Sequence, residues 1–292
     1  MERLRDRIAV ITGGASGIGR GMAEAFASEG MKLVIADIES AALESTVSEL
    51  REAGATVIGV ECDVSKADSV AQLAERTLEE YGAAHVLCNN AGVAGGMGGP
   101  IWEATLDEWD WVMGANLMGV IHGIRSFVPI LLEQDEGHVI NTASIAGLIP
   151  GLGIYGVTKH ACVALSESLW SGFQNQGANV GVSVLCPGWV ATRIAESERN
   201  RPEAPRVSSA VGPEVEAMRK LLEGVIASGM DPTEVGRIVA SAIKEQRFYV
   251  LTHHWENMVE ARMRNILEGR NPVGEAPPDS QEWFDTASEK TD

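Results

Sequence analysis

Tyr155 and Lys159 stand four residues apart in Ile154-Tyr155-Gly156-Val157-Thr158-Lys159, and Ser144 lies eleven residues before the tyrosine. If the stretch is helical, the phenol and the ammonium share one face. The lysine charge then favours the phenolate and lowers a tyrosine pKa that is ordinarily about 10. Such a tyrosine gives a proton to a carbonyl oxygen, or takes one from an alcohol, near neutral pH. Ser144 can hold the same oxygen by a hydrogen bond. A Tyr-x-x-x-Lys pair alone is more often a surface helix pair without chemistry, so its meaning depends on the surrounding elements.

Those elements begin at the N-terminus. Arg7 to Ile11 is a β-branched run that ends in Thr12-Gly13-Gly14-Ala15-Ser16-Gly17-Ile18-Gly19, and Met22, Ala23, Ala25, Phe26 and Ala27 then give a helical apolar stripe. Strand, glycine turn, helix is the setting in which backbone approaches a pyrophosphate and a helix N-terminus offers it N–H groups. Without more, the same glycines also suit a plain tight turn. The next strand, Lys32 to Ala36, ends at Asp37. A carboxylate there accepts hydrogen bonds from both hydroxyls of an adenosine ribose and repels a 2′-phosphate. Ile38 and Ser16 add no positive charge, so NAD is favoured over NADP.

A helix from Ala41 to Ala53, a strand from Thr56 to Glu61, a capping box at Ser65-x-x-Asp68 and a strand from His85 to Cys88 follow. Strands alternating with helices of this length predict βαβ units and a parallel sheet, with ligands at the carboxyl ends of the strands. Gly13, Asp37, Asp63 and Asn89 all fall at such ends.

Together, Thr-Gly-x-x-x-Gly-x-Gly, Asp63-Val64, Asn89-Asn90-Ala91-Gly92, Asn116, Ser144, Tyr155-x-x-x-Lys159 and Pro187-Gly188 resemble the short-chain dehydrogenase/reductase family in type and order, from about Arg5 to Ile194. The resemblance implies a Rossmann-like α/β fold, a doubly wound parallel seven-stranded sheet with helices on both faces. It implies that Tyr155 is the general acid/base, that Ser144 positions the substrate oxygen, and that Lys159 binds the nicotinamide ribose. Asn116 would open its helix and hold a proton-relaying water. Cofactor contacts would come from Gly13, Ser16, Gly17, Ile18, Gly19, Asp37, Ile38, Asp63, Val64, Asn89, Ala91, Gly92, Pro187, Gly188, Val190 and Thr192, besides Tyr155 and Lys159. In most members the tyrosine follows the serine by thirteen residues; here the glycine-bearing loop Ala146 to Gly153 is shortened by two, which its glycines can absorb.

The rest of the catalytic half follows this order. Thr105-x-x-Glu108 reads as a capping box before a long helix whose Trp109 and Trp111 suit packing or subunit contact. Arg193 to Pro213 is polar and proline-bearing, either the start of a substrate lid over 193–230 or a disordered insertion. Asp231-Pro232-Thr233-Glu234 starts a helix, a strand covers Arg247 to Leu251, and Trp255 to Leu267 is helical. The expected organisation is one catalytic domain over 1–253, then a C-terminal helix and flexible tail over 254–292. That helix would cover either the substrate pocket or a neighbouring subunit.

Composition narrows the function further. The 292 residues are 45% apolar and carry a net charge of −18, which argues against nucleic acid or an anionic membrane as partner. Cys62, Cys88, Cys162 and Cys186 lack metal or disulfide spacing, the six histidines form no ligand set, and His253-His254 read as surface residues. No apolar run reads as a bilayer span, and no signal peptide is present, so a cytoplasmic protein is expected. The expected activity is NAD-dependent interconversion of a secondary alcohol and a ketone, with Val93, Leu148, Ile149, Leu152, Ile154 and Trp189 around a hydrophobic substrate body. An NADPH-dependent reductase of the same family and a non-catalytic NAD(H)-binding sensor or scaffold remain open. The family further implies a homo-oligomer, a tetramer or a dimer.

Overall fold

The computed structural model describes residues 1, 3–95, 100–202, 220 and 223–273. Half of the expected lid (203–219, 221 and 222) and the tail (274–292) lie outside the described residues. Seven parallel strands form one sheet in the order β3-β2-β1-β4-β5-β6-β7. They are β1 (Ile8–Thr12), β2 (Lys32–Asp37), β3 (Val57–Glu61), β4 (Val86–Asn89), β5 (Gly137–Thr142), β6 (Val180–Cys186) and β7 (Tyr249–Leu251). The helices are α1 (Gly17–Ser28), α2 (Ser40–Glu52), α3 (Ala67–Tyr81), α4 (Leu106–Met113), α5 (Gly119–Gln134), α6 (Gly153–Gln176), α7 (Pro232–Glu245) and α8 (Glu256–Leu267).

The period-two alternation of the strands produces the layers. In β1, Ala9 and Ile11 face a core shared with Met22 and Phe26 of α1, Leu43 and Val47 of α2, and Val235, Val239 and Ile243 of α7. Ile8 and Val10 face the other core, with Leu73 of α3, Phe127 and Leu131 of α5, and Phe173 of α6. Phe26 and Phe127 are wholly buried on opposite sides of the sheet, each ring contributing about 2–3 kcal/mol of apolar burial. β1 pairs with β2 on one side and β4 on the other. Chain order reverses between them, and a crevice opens there above the strand ends.

Caps set where the helices begin. Thr105 accepts a hydrogen bond from Glu108 N at 3.2 Å, and Asp231 accepts one from Thr233 N at 2.7 Å with Pro232 at the first helical position. Ser65 does not cap α3 as expected. Its Oγ and N both donate to Asp63 Oδ1, at 2.7 and 2.9 Å, an Asx-type turn that takes the serine away from the helix.

Contrary to the expectation from the sequence, one helical stretch is long and apolar enough for a bilayer span. α4, a π-helical turn over Gly114–Met118 and α5 run on without a break, so Leu106–Gln134 is long and apolar enough, by length and composition, to cross a membrane. Polar residues such as Asn116, His122 and Arg125 hide this in the sequence. Phe127 and Leu131 of the same helix lie in the core against the sheet, as the core helix of a globular domain does.

Candidate active site

Above the carboxyl ends of the strands lies a cavity of about 630 Å³. At one end is the glycine turn between β1 and α1. Gly13 has φ of +60°, and a β-carbon on Gly19 would sit 2.1 Å from Gly13 O, so the turn tolerates no side chain there. Asp37, at the end of β2, fastens this turn: its Oδ2 accepts from Ala15 N at 3.0 Å and its Oδ1 from Glu39 N at 3.1 Å. Each oxygen keeps a second acceptor site. Asn90 holds the turn from the β4 side, with Nδ2 donating to Thr12 O and Gly13 O at 3.0 and 3.3 Å.

At the other end, β5 delivers Ser144 and α6 carries Tyr155 and Lys159, and all three line the cavity. Lys159 is buried; its Nζ donates to Thr142 O at 2.9 Å and lies 5.5 Å from the centre of the Tyr155 ring. The shortened loop closes through three successive left-handed residues, Gly151, Leu152 and Gly153, with φ of +99°, +66° and +55°. Glycine adopts this region freely, so the strain falls on Leu152 alone. A β-carbon on Gly147 would lie 2.6 Å from Lys159 O, so the segment after Ser144 packs directly on the backbone of α6.

Most of the expected cofactor residues line this one cavity: Gly13, Ser16, Gly17, Ile18, Asp37, Ile38, Asp63, Val64, Ala91, Gly92, Pro187, Gly188, Val190 and Thr192. Gly19, Asn89 and Asn116 do not. Gly19 acts by its missing side chain. Asn89 is buried and donates from Nδ2 to Asn141 Oδ1 at 2.9 Å, while its neighbour Asn90, which the sequence reading passed over, lines the cavity. Asn116 lies in the π-helical turn, wholly buried. Its Oδ1 accepts from Val93 N at 2.8 Å, and its Nδ2 donates to Val93 O at 2.9 Å and to Thr158 Oγ1 at 3.1 Å. The opened helix agrees with the resemblance.

The remaining walls are largely apolar. Val93, Leu152 and Trp189 line the cavity as expected; Trp111, Ile145, Ile194 and Ile226 line it too. Trp111 thus has a place at the cavity beyond simple packing. Ile154 packs instead with Val93 and Val112, and Leu148 and Ile149 pack with Trp255, Met258 and Val259. The C-terminal helix α8 therefore backs the loop beside the site. His253 is not a plain surface residue, since its ring lies 4.9 Å from that of Trp255. Among the described residues, no cluster of His, Cys, Asp and Glu could hold a metal ion. Burial raises the Cys62 thiol at the cavity wall and pushes Cys186 up to about 12, so neither is a ready nucleophile.

Comparison with known proteins agrees with this arrangement. Residues 7–203 match the family model for short chain dehydrogenase, and the chain belongs to the short-chain dehydrogenase/reductase family, oxidoreductases on a Rossmann-like fold. A short-chain dehydrogenase/reductase from Burkholderia phymatum, solved in complex with NAD, is 46% identical with a TM-score of 0.90, over 94% of this chain and 99% of that one. A CLA biosynthesis dehydrogenase/reductase from Lactiplantibacillus plantarum is 34% identical over 93% of this chain and 97% of its own length. A C alpha-dehydrogenase from Sphingobium sp. is 31% identical over 95% of this chain and 90% of its own.

Proposed function

We propose that this chain interconverts a secondary alcohol and a ketone by hydride transfer with NAD, using Tyr155 as general acid/base. The observation that carries the reading is that Ser144, Tyr155 and Lys159 share a cavity with the glycine turn and Asp37. The residues fit a dinucleotide: a turn without side chains at Gly13 and Gly19, and a carboxylate with free acceptor sites at Asp37. The relative from Burkholderia phymatum, solved with NAD, supports the same cofactor here. The cofactor, when bound, supplies a carbon centre that accepts or donates hydride.

The chain's own residues do the rest. Ser144 Oγ donates a hydrogen bond to the substrate oxygen and fixes it. Tyr155 takes the hydroxyl proton in oxidation and returns it in reduction, and Lys159 stabilises the phenolate formed when that proton leaves. Asn116 holds the Val93 loop and the opened helix behind this group. Val93, Trp111, Leu152 and Trp189 receive an apolar substrate body and exclude water from the reacting carbon. Asp37 and Ile38 disfavour a 2′-phosphate, so NAD is preferred to NADP.

The test follows absorbance of reduced nicotinamide over a panel of secondary alcohols with NAD and with NADP, wild type beside Tyr155→Phe. Turnover with NAD is expected to fall by about 10²–10⁴-fold in the variant. Undiminished turnover in Tyr155→Phe sinks the mechanism. NADH binding without turnover on any alcohol favours a sensor or scaffold instead.

A further inference from the structure

One charged cluster at the cavity has no part in this chemistry. The chain leaves the Pro187–Thr192 turn and enters a short 3₁₀ stretch, Ile194–Asn200, which is tied to three separate elements across the cleft. Arg199 donates from Nε and Nη2 to Glu39 Oε1 at 2.9 and 2.7 Å, and Asn200 Nδ2 donates to the same oxygen at 3.0 Å. Arg193 Nη2 lies 3.8 Å from Glu39 Oε2. Ser197 Oγ, buried, accepts from Ala94 N at 2.9 Å, and the Arg201 guanidinium lies 5.3 Å from the centre of the Trp111 ring. Arg199 and Glu39, 160 positions apart in the chain, both line the cavity, as do Arg193 and Ser197.

The position of Glu39 gives this contact its meaning. It stands two residues beyond Asp37, at the end of the cleft read as the adenosine side. The segment it fastens leaves the Pro187–Thr192 turn, whose Thr192 side chain lies beside Gly17 of the glycine turn. The strap therefore crosses the cleft from beside the glycine turn, tied at Glu39 through Arg199, at Ala94 through Ser197 and at Trp111 through Arg201. Arg199, aided by Asn200 and Arg193, holds the Glu39 carboxyl below its ordinary range against the opposing effect of burial, so the tie is ionic through the neutral range.

We propose that Glu39 and Arg199 form a latch that keeps residues 193–202 closed across the cleft and so sets the rate at which the dinucleotide leaves. This rests on the reading of the cleft as an NAD site. Release then requires the fork between Arg199 and Glu39 to open, whereas proton transfer at Tyr155 does not involve it. Because the pair is partly exposed, salt weakens it.

The experiment is displacement of bound NADH by excess NAD in a stopped-flow instrument, followed by nicotinamide fluorescence. The full chain is compared with Glu39→Gln, Arg199→Gln and the double variant, at low and high salt. Each single variant is expected to release NADH about 3- to 10-fold faster, the range for losing one partly exposed, multiply bonded ion pair. The double variant should be no faster than either single one, and salt should speed the wild type more than the double variant. NADH binding with equal release rates in all four proteins overturns the latch and leaves the cofactor reading standing. Rates that multiply in the double variant overturn it as well, since the two residues would then act separately. Failure of the wild type to bind NADH overturns the reading of the cleft and the latch with it.

Discussion

Replacing Asn116 with alanine removes a group that joins three parts of the site. The side chain is wholly buried and makes three hydrogen bonds, to Val93 N, Val93 O and Thr158 Oγ1, at 2.8, 2.9 and 3.1 Å. Thr158 suffers least, because its hydroxyl still donates to Tyr155 O at 2.8 Å. The Val93 N–H and C=O lose their partner in a buried loop, and each unsatisfied group costs about 1–3 kcal/mol. The total is about 2–6 kcal/mol. For a domain of this size that lowers the melting temperature by roughly 4–24 °C, at about 2–4 °C per kcal/mol. Thermal unfolding followed by circular dichroism, with a urea titration beside it, measures both quantities. A loss below about 1 kcal/mol would mean that water or a rearranged Val93 loop satisfies the orphaned groups, and would refute the view of Asn116 as a structural clamp.

Two further outcomes follow from other residues. Asp37→Ser with Ile38→Arg removes the carboxylate and adds a guanidinium at the ribose, and is expected to shift relative affinity towards NADPH by about tenfold or more, that is 1.4 kcal/mol; unchanged dissociation constants for NADH and NADPH would contradict the placement of the adenosine end. His138 is buried with Nε2 on Ser183 Oγ at 2.8 Å, and burial lowers its pKa from 6.5 to about 3. Between those values the unfolded chain holds a proton that the folded chain does not, so stability falls on acidification, by at most about 1.4 kcal/mol per pH unit. His138→Gln should flatten the dependence of urea stability on pH between 6.5 and 4; an unchanged slope would show that other groups set it.

The sequence disclosed the fold because its local signals agree: β-branched runs ending in Gly13, Asp37, Asp63 and Asn89, each followed by an amphipathic helix. It disclosed most of the candidate cavity lining because the cavity forms where those strand ends meet. What it hid has physical causes. Asn89 and Asn90 are adjacent and identical, yet the pleat turns one into the sheet layer and the other to the cavity, and composition cannot tell them apart. Ser65 reads as a cap until Asp63 Oδ1 takes its hydroxyl at 2.7 Å. The Glu39–Arg199 pair joins residues 160 positions apart, which no local pattern records. The opened helix at Asn116 came from the resemblance alone, since no spacing rule distinguishes a π turn from a regular one.

The turn after β6 has a consequence for the order in which this protein is made. Gly188 N donates to Thr252 Oγ1 at 3.1 Å, and a β-carbon at Gly188 would meet His253 and Trp255 at 2.8 Å. The glycine turn, the carboxylate and the Tyr–Lys helix are all synthesised within the first 160 residues. The strip of backbone facing them is braced by Met230, whose N donates to Trp189 O at 2.9 Å and whose O accepts from Ala191 N at 3.0 Å, and by residues 252–255, which lie more than sixty positions after Gly188. During synthesis the chain thus holds these groups long before the wall behind them is braced. A nascent chain still short of Thr252 has the parts of the site without its finished shape.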